Sequence, residues 1–237
     1  MLFDVVQEVQ AQVETFVSSR LKQVEGEADE LKRDSKALSE DVDERLGKLQ
    51  QQYALDSVLE SVLSGYASTL KEWTGKTSAT VVYDSKVDLF THDGLFDAVK
   101  GRPNVAVIGF TTDGDVFGGF YSVAVTEQEE SFDDPNMFAF SFESHGRCMT
   151  PQRFVVKDRL KEEAKVSFWK RDENGFVELG VNGEGGFCLG NEKSASFCCD
   201  MSCAFEGLEN TTLTGQNCTS DKGPFHHCTR LVAVRLE

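Results

Sequence analysis

Two hydrophobic rhythms divide this chain. Over residues 1 to about 68, apolar positions recur at steps of three and four. The run Val17, Leu21, Val24, Ala28, Leu31, Ser35, Leu38, Val42 alternates +4 and +3, with Ser35 the one polar interruption. That spacing is a heptad seam. Val6, Val9, Val13 and Phe16 keep the rhythm upstream, and Leu46, Leu49 and Tyr53 continue it downstream, each join needing an extra step of the kind that locally unwinds a supercoil. Pro is absent from this stretch, and Gly occurs only at 26, 47 and 65. Charged residues fill the positions between seam residues, at 25–30, 32–34 and 40–45.

A single helix of ~50 residues reaches ~75 Å and cannot bury its stripe on itself. It therefore pairs with a second copy or folds back as a hairpin at Gly26 or Gly47, where helix propensity is weakest. Pairing between chains is favoured, because no turn cluster interrupts residues 27–46. A plain solvated spacer helix is the third reading. From Leu55 to Leu70 the stripe Leu55, Val58, Leu59, Val62, Leu63, Tyr66, Leu70 is denser, wide enough to pack on a globular core. The expected organisation is a coiled-coil helix over 1–54 and a domain over 55–237 that opens with this packing helix.

After about residue 75 the period becomes two. Strands are predicted at 79–84, 104–110, 115–125, 137–143, 152–156, 165–170, 176–181, 186–190, 195–199 and 229–236, with a short helix at 93–100 ended by Gly101 and Pro103. Asp-Gly at 113–114 and Asn-Gly at 174–175 signal hairpins. Closely spaced strands with few helices predict an α+β chain, a long helix followed by an antiparallel two-sheet β-sandwich with short flanking helices.

Composition narrows the function classes. Eighteen Phe, against four Tyr and two Trp, supply a substantial core, and the net charge of −16 disfavours nucleic acid and anionic membranes while suiting a partner with a basic face. No run of ~18 apolar residues predicts a membrane span. The first residues lack the basic, apolar and small-residue pattern of a secretory signal, so the cytosol or nucleus is expected. The seven cysteines are then expected as thiols, and the Asn-x-Thr sequons at Asn210 and Asn217 as loop polarity.

Several groups have chemical character. Cys199, Cys203, Cys218, His226 and Cys228 fall close together and offer thiolate and imidazole ligands for zinc, but the spacings match no finger and include no C-x2-C pair. Redox-sensing thiols in the 198–228 cluster are the competing reading, and structural thiols the plainer one. A Cys203–His226 nucleophile pair requires contact and an orienting third group. His92, in a turn, reads as a capping or surface residue. An EF-hand over 84–94 fails, because Lys86 and Leu89 stand where a ligand and glycine are required. The acidic run 127–134 reads as a solvated loop. Arg20, Lys22, Lys32, Arg33 and Lys36 give the helix a modest basic stripe, so a dimeric DNA-binding nuclear regulator of stress genes stands as an alternative.

An ordered series of motifs resembles the TLDc domain of oxidation-resistance proteins and several membrane-trafficking regulators. It comprises Trp73, VVYDS (81–85), GLF (94–96), VAVIGF (105–110), DGDVFGGFYS (113–122), MFAFSF (137–142), GEGGFCLG (183–190), SASFCC (194–199) and LVAVRLE (231–237). The most specific part is Asp113, Gly114, Phe117, Gly118, Gly119 and Phe120. The resemblance covers residues 73–237. Residues 144–162 and 207–228 depart from the family pattern, so partner contacts made there in relatives do not carry over. The resemblance implies a β-sandwich with flanking helices, no firmly attached enzymatic activity, no cofactor, and a role in oxidative-stress protection or in regulating the vacuolar proton-pumping ATPase. Gly118 and Gly119 read as a close-packing site rather than a phosphate loop, since no Lys-Ser/Thr follows.

Overall fold

The computed structural model describes residues 2–170, 175–191, 193, 196–216 and 226–237, and before Leu63 only part of the side chains. It divides into two units, residues 1–62 and 63–237.

Helix α1 (Leu2–Thr74) runs unbroken through Gly26 and Gly47. The expected alternative of a fold-back at these glycines is therefore excluded. A lone Gly costs ~1 kcal/mol in a helix, which the many Leu, Glu, Lys and Gln around it outweigh. Within the first unit the helix extends on the order of 90 Å. None of the described helices is long and apolar enough to cross a membrane.

The second unit holds two antiparallel sheets. Its elements are β1 (Ala79–Asp84), α2 (His92–Val99), β2 (Val105–Thr111), β3 (Val116–Tyr121), β4 (Ser131–Asp133), β5 (Phe138–Glu143), β6 (Gln152–Val155), a 3-10 turn (Asp158–Glu163), β7 (Ala164–Phe168), β8 (Val177–Val181), β9 (Gly185–Leu189), β10 (Phe197–Cys199), α3 (Met201–Ala204) and β11 (Cys228–Leu236). The first sheet runs β1-β11-β2-β3-β5-β6 and the second β10-β9-β8-β7-β4. The expected strands are present with ends shifted by a few residues. The Asp-Gly hairpin joins β2 to β3, with Gly114 at φ +86°. The Asn-Gly signal falls at Asn174, outside the described residues. The acidic run 127–134 is corrected: it contains strand β4, and Asp134 within it is fully buried. There Asp134 accepts from the Ser122 hydroxyl at 2.7 Å and from the Asn136 N–H at 3.1 Å.

Sheet one is covered on both faces, which explains why its strands read as nearly continuous apolar runs. Val105, Val107, Phe117, Tyr121, Ala139, Leu231 and Ala233 face the second sheet and its Val166, Leu179 and Phe187. On the opposite face, Ala106, Ile108, Phe120, Phe138, Phe140, Phe142, Val232 and Val234 pack against Leu63, Tyr66, Leu70 and Trp73 from the end of α1. Tyr66 stacks on Phe142 with ring centroids 4.1 Å apart, and Trp73 stacks on the same ring at 5.7 Å. The second unit is thus a helix, a sheet and a second sheet in three layers.

The glycine pair of β3 makes this layering possible. A Cβ on Gly118 would lie 1.9 Å from the Val107 carbonyl oxygen and 3.0 Å from the Phe140 ring. One on Gly119 would lie 2.6 Å from Leu179 and 2.9 Å from Phe187, side chains of the opposite sheet. The two faces of one dipeptide therefore admit the α1-side ring and the facing sheet. Edge strand β1 is tied by Asp84, which receives a two-pronged hydrogen bond from Arg230, with Nε to Oδ1 at 2.8 Å. Burial pushes the Asp84 carboxyl up, but the bonds from Arg230 and the Lys86 N–H, with the charges of both residues, together outweigh it and hold the group below its ordinary range.

Replacing Gly118 by Ala is expected to destabilise the protein by roughly 2–3 kcal/mol and lower Tm by roughly 5–10 °C, because the obstacle is backbone. Thermal unfolding followed by circular dichroism checks this, and an unchanged Tm contradicts the close-packing role.

Candidate functional site

The cysteines and histidines do not form one centre. Cys228 lies in the core between the sheets, where a Cβ on Gly109 would come 2.9 Å from its sulfur. Cys198 is also core, Cys188 is buried, Cys199 is half-buried, and Cys203 is exposed on α3. Cys218 lies outside the described residues. Burial pushes the Cys228 thiol up to about 12 and raises Cys188 and Cys198 by the same cause. All three are protonated at neutral pH and lack the thiolate character of a nucleophile or peroxide sensor. The six described cysteines are free thiols. Among the described residues, no three His, Cys, Asp or Glu side chains converge to hold a metal ion.

His226 is buried with its ring 5.2 Å from Phe117, and its Nε2 has no hydrogen-bond partner among the described residues. His92, expected as a cap or surface residue, is corrected: Thr91 caps α2 through the Gly94 N–H, and His92 is buried 4.2 Å from the Phe176 ring.

The turn of the Asp113–Phe120 motif carries a buried carboxylate. Asp115 Oδ1 accepts from Arg147 Nη2 at 2.5 Å and lies 2.8 Å from His145 Nδ1. Arg147 also donates to the Thr212 and Leu213 carbonyls at 2.9 and 3.2 Å. One arginine therefore fastens the 207–216 loop to the β2–β3 hairpin. Arg147 and the 207–216 loop thus meet on Asp115 of the hairpin. The aspartate holds loops together, and the hydroxyl of Thr111 beside it is engaged with the Asp115 backbone, accepting from its N–H at 3.0 Å and donating to its carbonyl at 3.3 Å.

The outer face of the second sheet holds a cleft of about 440 Å³. Strand registers build its floor. Ser131, Ser167, Glu178, Cys188 and Phe197 form one row across all five strands. Asp133, Lys165, Gly180, Gly186 and Cys199 form the next. The floor stays bare at Gly180 and Gly186, because a Cβ on Gly186 would meet the Gly180 Cα at 2.7 Å. Trp169 stands at the rim and donates its indole N–H to Glu178 Oε2 at 3.2 Å. Burial pushes the Glu178 carboxyl up, while that N–H favours its ionised form. The hydroxyls of Ser131 and Ser167 bond to each other at 2.8 Å, and Lys165 lies 3.7 Å from Asp133. Of these outer-row residues only Cys199 was weighed as a chemical candidate from sequence; Gly186, Cys188 and Phe197 entered only within the 183–190 and 194–199 motif segments. The only local signal was the glycine-rich 180–186 segment.

The seam residues sit on α1. Val17, Leu21, Val24, Leu31, Leu38 and Val42 are all exposed, with Leu31 70% and Leu38 66% accessible. The Ala28 side chain lies outside the described ones.

Burial lowers the His226 pKa to about 4 from the ordinary 6.5, with His227 adding to the shift. The unfolded chain takes up this proton as pH falls through about 6.5, whereas the folded chain refuses it until about pH 4. Stability is therefore full above 6.5 and declines below it, by about 2 kcal/mol at pH 5. Urea unfolding at pH 7 and pH 5 should show that His226→Gln loses less stability across this interval than the parent. Equal losses would contradict the assignment.

No protein-family model matches this chain, and no curated protein matches it.

Proposed function

We propose that this chain is a non-enzymatic regulatory adaptor of the TLDc type. Helix α1 associates with a second copy along the Val17–Val42 seam, and the sandwich docks protein partners. The setting is the oxidative-stress response or control of the vacuolar proton-pumping ATPase, in the cytosol or nucleus.

The exposed seam carries this reading. Six described apolar side chains on one heptad register stand in water on the single chain, and side chains of that size stabilise by roughly 1.5–3 kcal/mol each when fully buried. A partner helix with the same register covers them through knobs-into-holes packing, and a second copy presents that register. The charged positions between seam residues keep the remaining helix faces solvated. Buried, protonated thiols and a structural role for Asp115 support a binding protein over a thiol enzyme. The ordered motif series, from Trp73 to the last strand, supports the TLDc assignment.

Light scattering should give the full chain twice its 26.3 kDa mass. Replacing Leu31 and Leu38 by Asp should return it to the single-chain mass without altering the sandwich, since both side chains are exposed on one chain. A single-chain mass for the unaltered protein contradicts the pairing.

A further inference from the structure

We propose that the cleft on the outer face of the second sheet receives an arginine side chain from a basic segment of a partner protein. The inference rests on the adaptor reading and gives its docking surface a location and a chemistry.

The argument starts from the floor. Two cross-strand rows span β4, β7, β8, β9 and β10, and the second row is bare at Gly180 and Gly186. The cleft draws lining residues from all five strands, which at ~4.8 Å spacing span roughly 19 Å, the length of five or six extended residues. That length suits a peptide rather than a free ion.

The chemistry of the walls selects the side chain. Glu178 is a carboxylate withdrawn from water in mid-groove, with the Trp169 indole bonded to it at 3.2 Å. A carboxylate in such a place is favoured by a cation that replaces lost hydration. The neighbouring cation, Lys165, lies against Asp133 at the β4 end, and Glu184 lies 3.6 Å from Arg159. Among the described residues Glu178 forms no ion pair, which leaves this central carboxylate to an incoming charge; Asp200, which also lines the cleft, is already engaged. A guanidinium suits the pair better than an ammonium, because it is planar, stacks on indole and binds carboxylate with a fixed fork. Ser131 and Ser167 supply hydroxyls further along the groove for the peptide backbone. The net charge of −16 draws a basic segment toward the molecule from a distance.

The test is calorimetric titration of the full chain with a ten-residue peptide of Gly, Ser and one central Arg. Binding should weaken at least tenfold for Glu178→Gln and for Trp169→Leu, and several-fold when Lys replaces Arg in the peptide. Free arginine and spermidine should bind at least a hundredfold more weakly than the peptide. Ser131→Arg, an exposed change on the short edge strand, should block the groove without disturbing the fold, so the test survives if Glu178→Gln fails to fold. Absence of peptide binding overturns the proposal. So does equal weakening by Asp93→Asn, an acidic residue on α2 outside the cleft, since that marks general charge attraction. Free arginine binding as tightly as the peptide overturns the protein-segment assignment. Peptide binding that fails while the chain keeps its double mass removes the cleft alone. A single-chain mass with peptide binding intact removes the seam pairing alone.

Discussion

Apolar surface must be covered, and this chain meets that constraint completely in one place and not at all in another. The first sheet is covered twice, by the second sheet on one face and by Leu63, Tyr66, Leu70 and Trp73 on the other. The seam from Val17 to Val42 is bare. A long helix draws little stability from propensity and much from packing of its apolar stripe. The proposed second copy answers that deficit with the same sequence that creates it.

Close packing on both faces of one sheet limits what its strands can contain. At Gly118 and Gly119, consecutive in β3, neighbouring atoms already occupy the space of a Cβ, one on each face. Phe140 lies over the first and Leu179 with Phe187 over the second, so the Phe-Gly-Gly-Phe string is a packing solution. The Asp115 carboxylate at the adjoining turn serves loop attachment through Arg147. Gly118, Gly119 and Asp115 thus serve packing and loop attachment, and the proposed groove lies elsewhere, on the outer face of the second sheet.

The strands were legible because short apolar runs bounded by Gly, Pro, Asn and Asp turn residues stand out locally even where both faces are buried, and the helix because its charges and seam repeat every seven residues. Strand β4 was missed because Phe132 sits among Asp and Glu, whose charge outvotes one aromatic in any short window. His92 was misread because a turn position next to Thr91 resembles a cap, and its contact with Phe176 lies 84 positions away (176 − 92). The Asp115–Arg147 link and the Glu178 row depend on pairings across 32 positions and across four strand interfaces. No local pattern encodes those registers. Cys199 and Cys228 were grouped by closeness in sequence, but alternation along the strands sends one to the outer face and the other into the core.

Mass action offers the most direct check on the seam. If two chains share it, melting of the helix followed at 222 nm must shift to higher temperature as chain concentration rises, because association stabilises only the paired state. The account predicts a midpoint that climbs steadily over a hundredfold range of concentration. A midpoint independent of concentration over that range would contradict it, leaving α1 a solvated spacer.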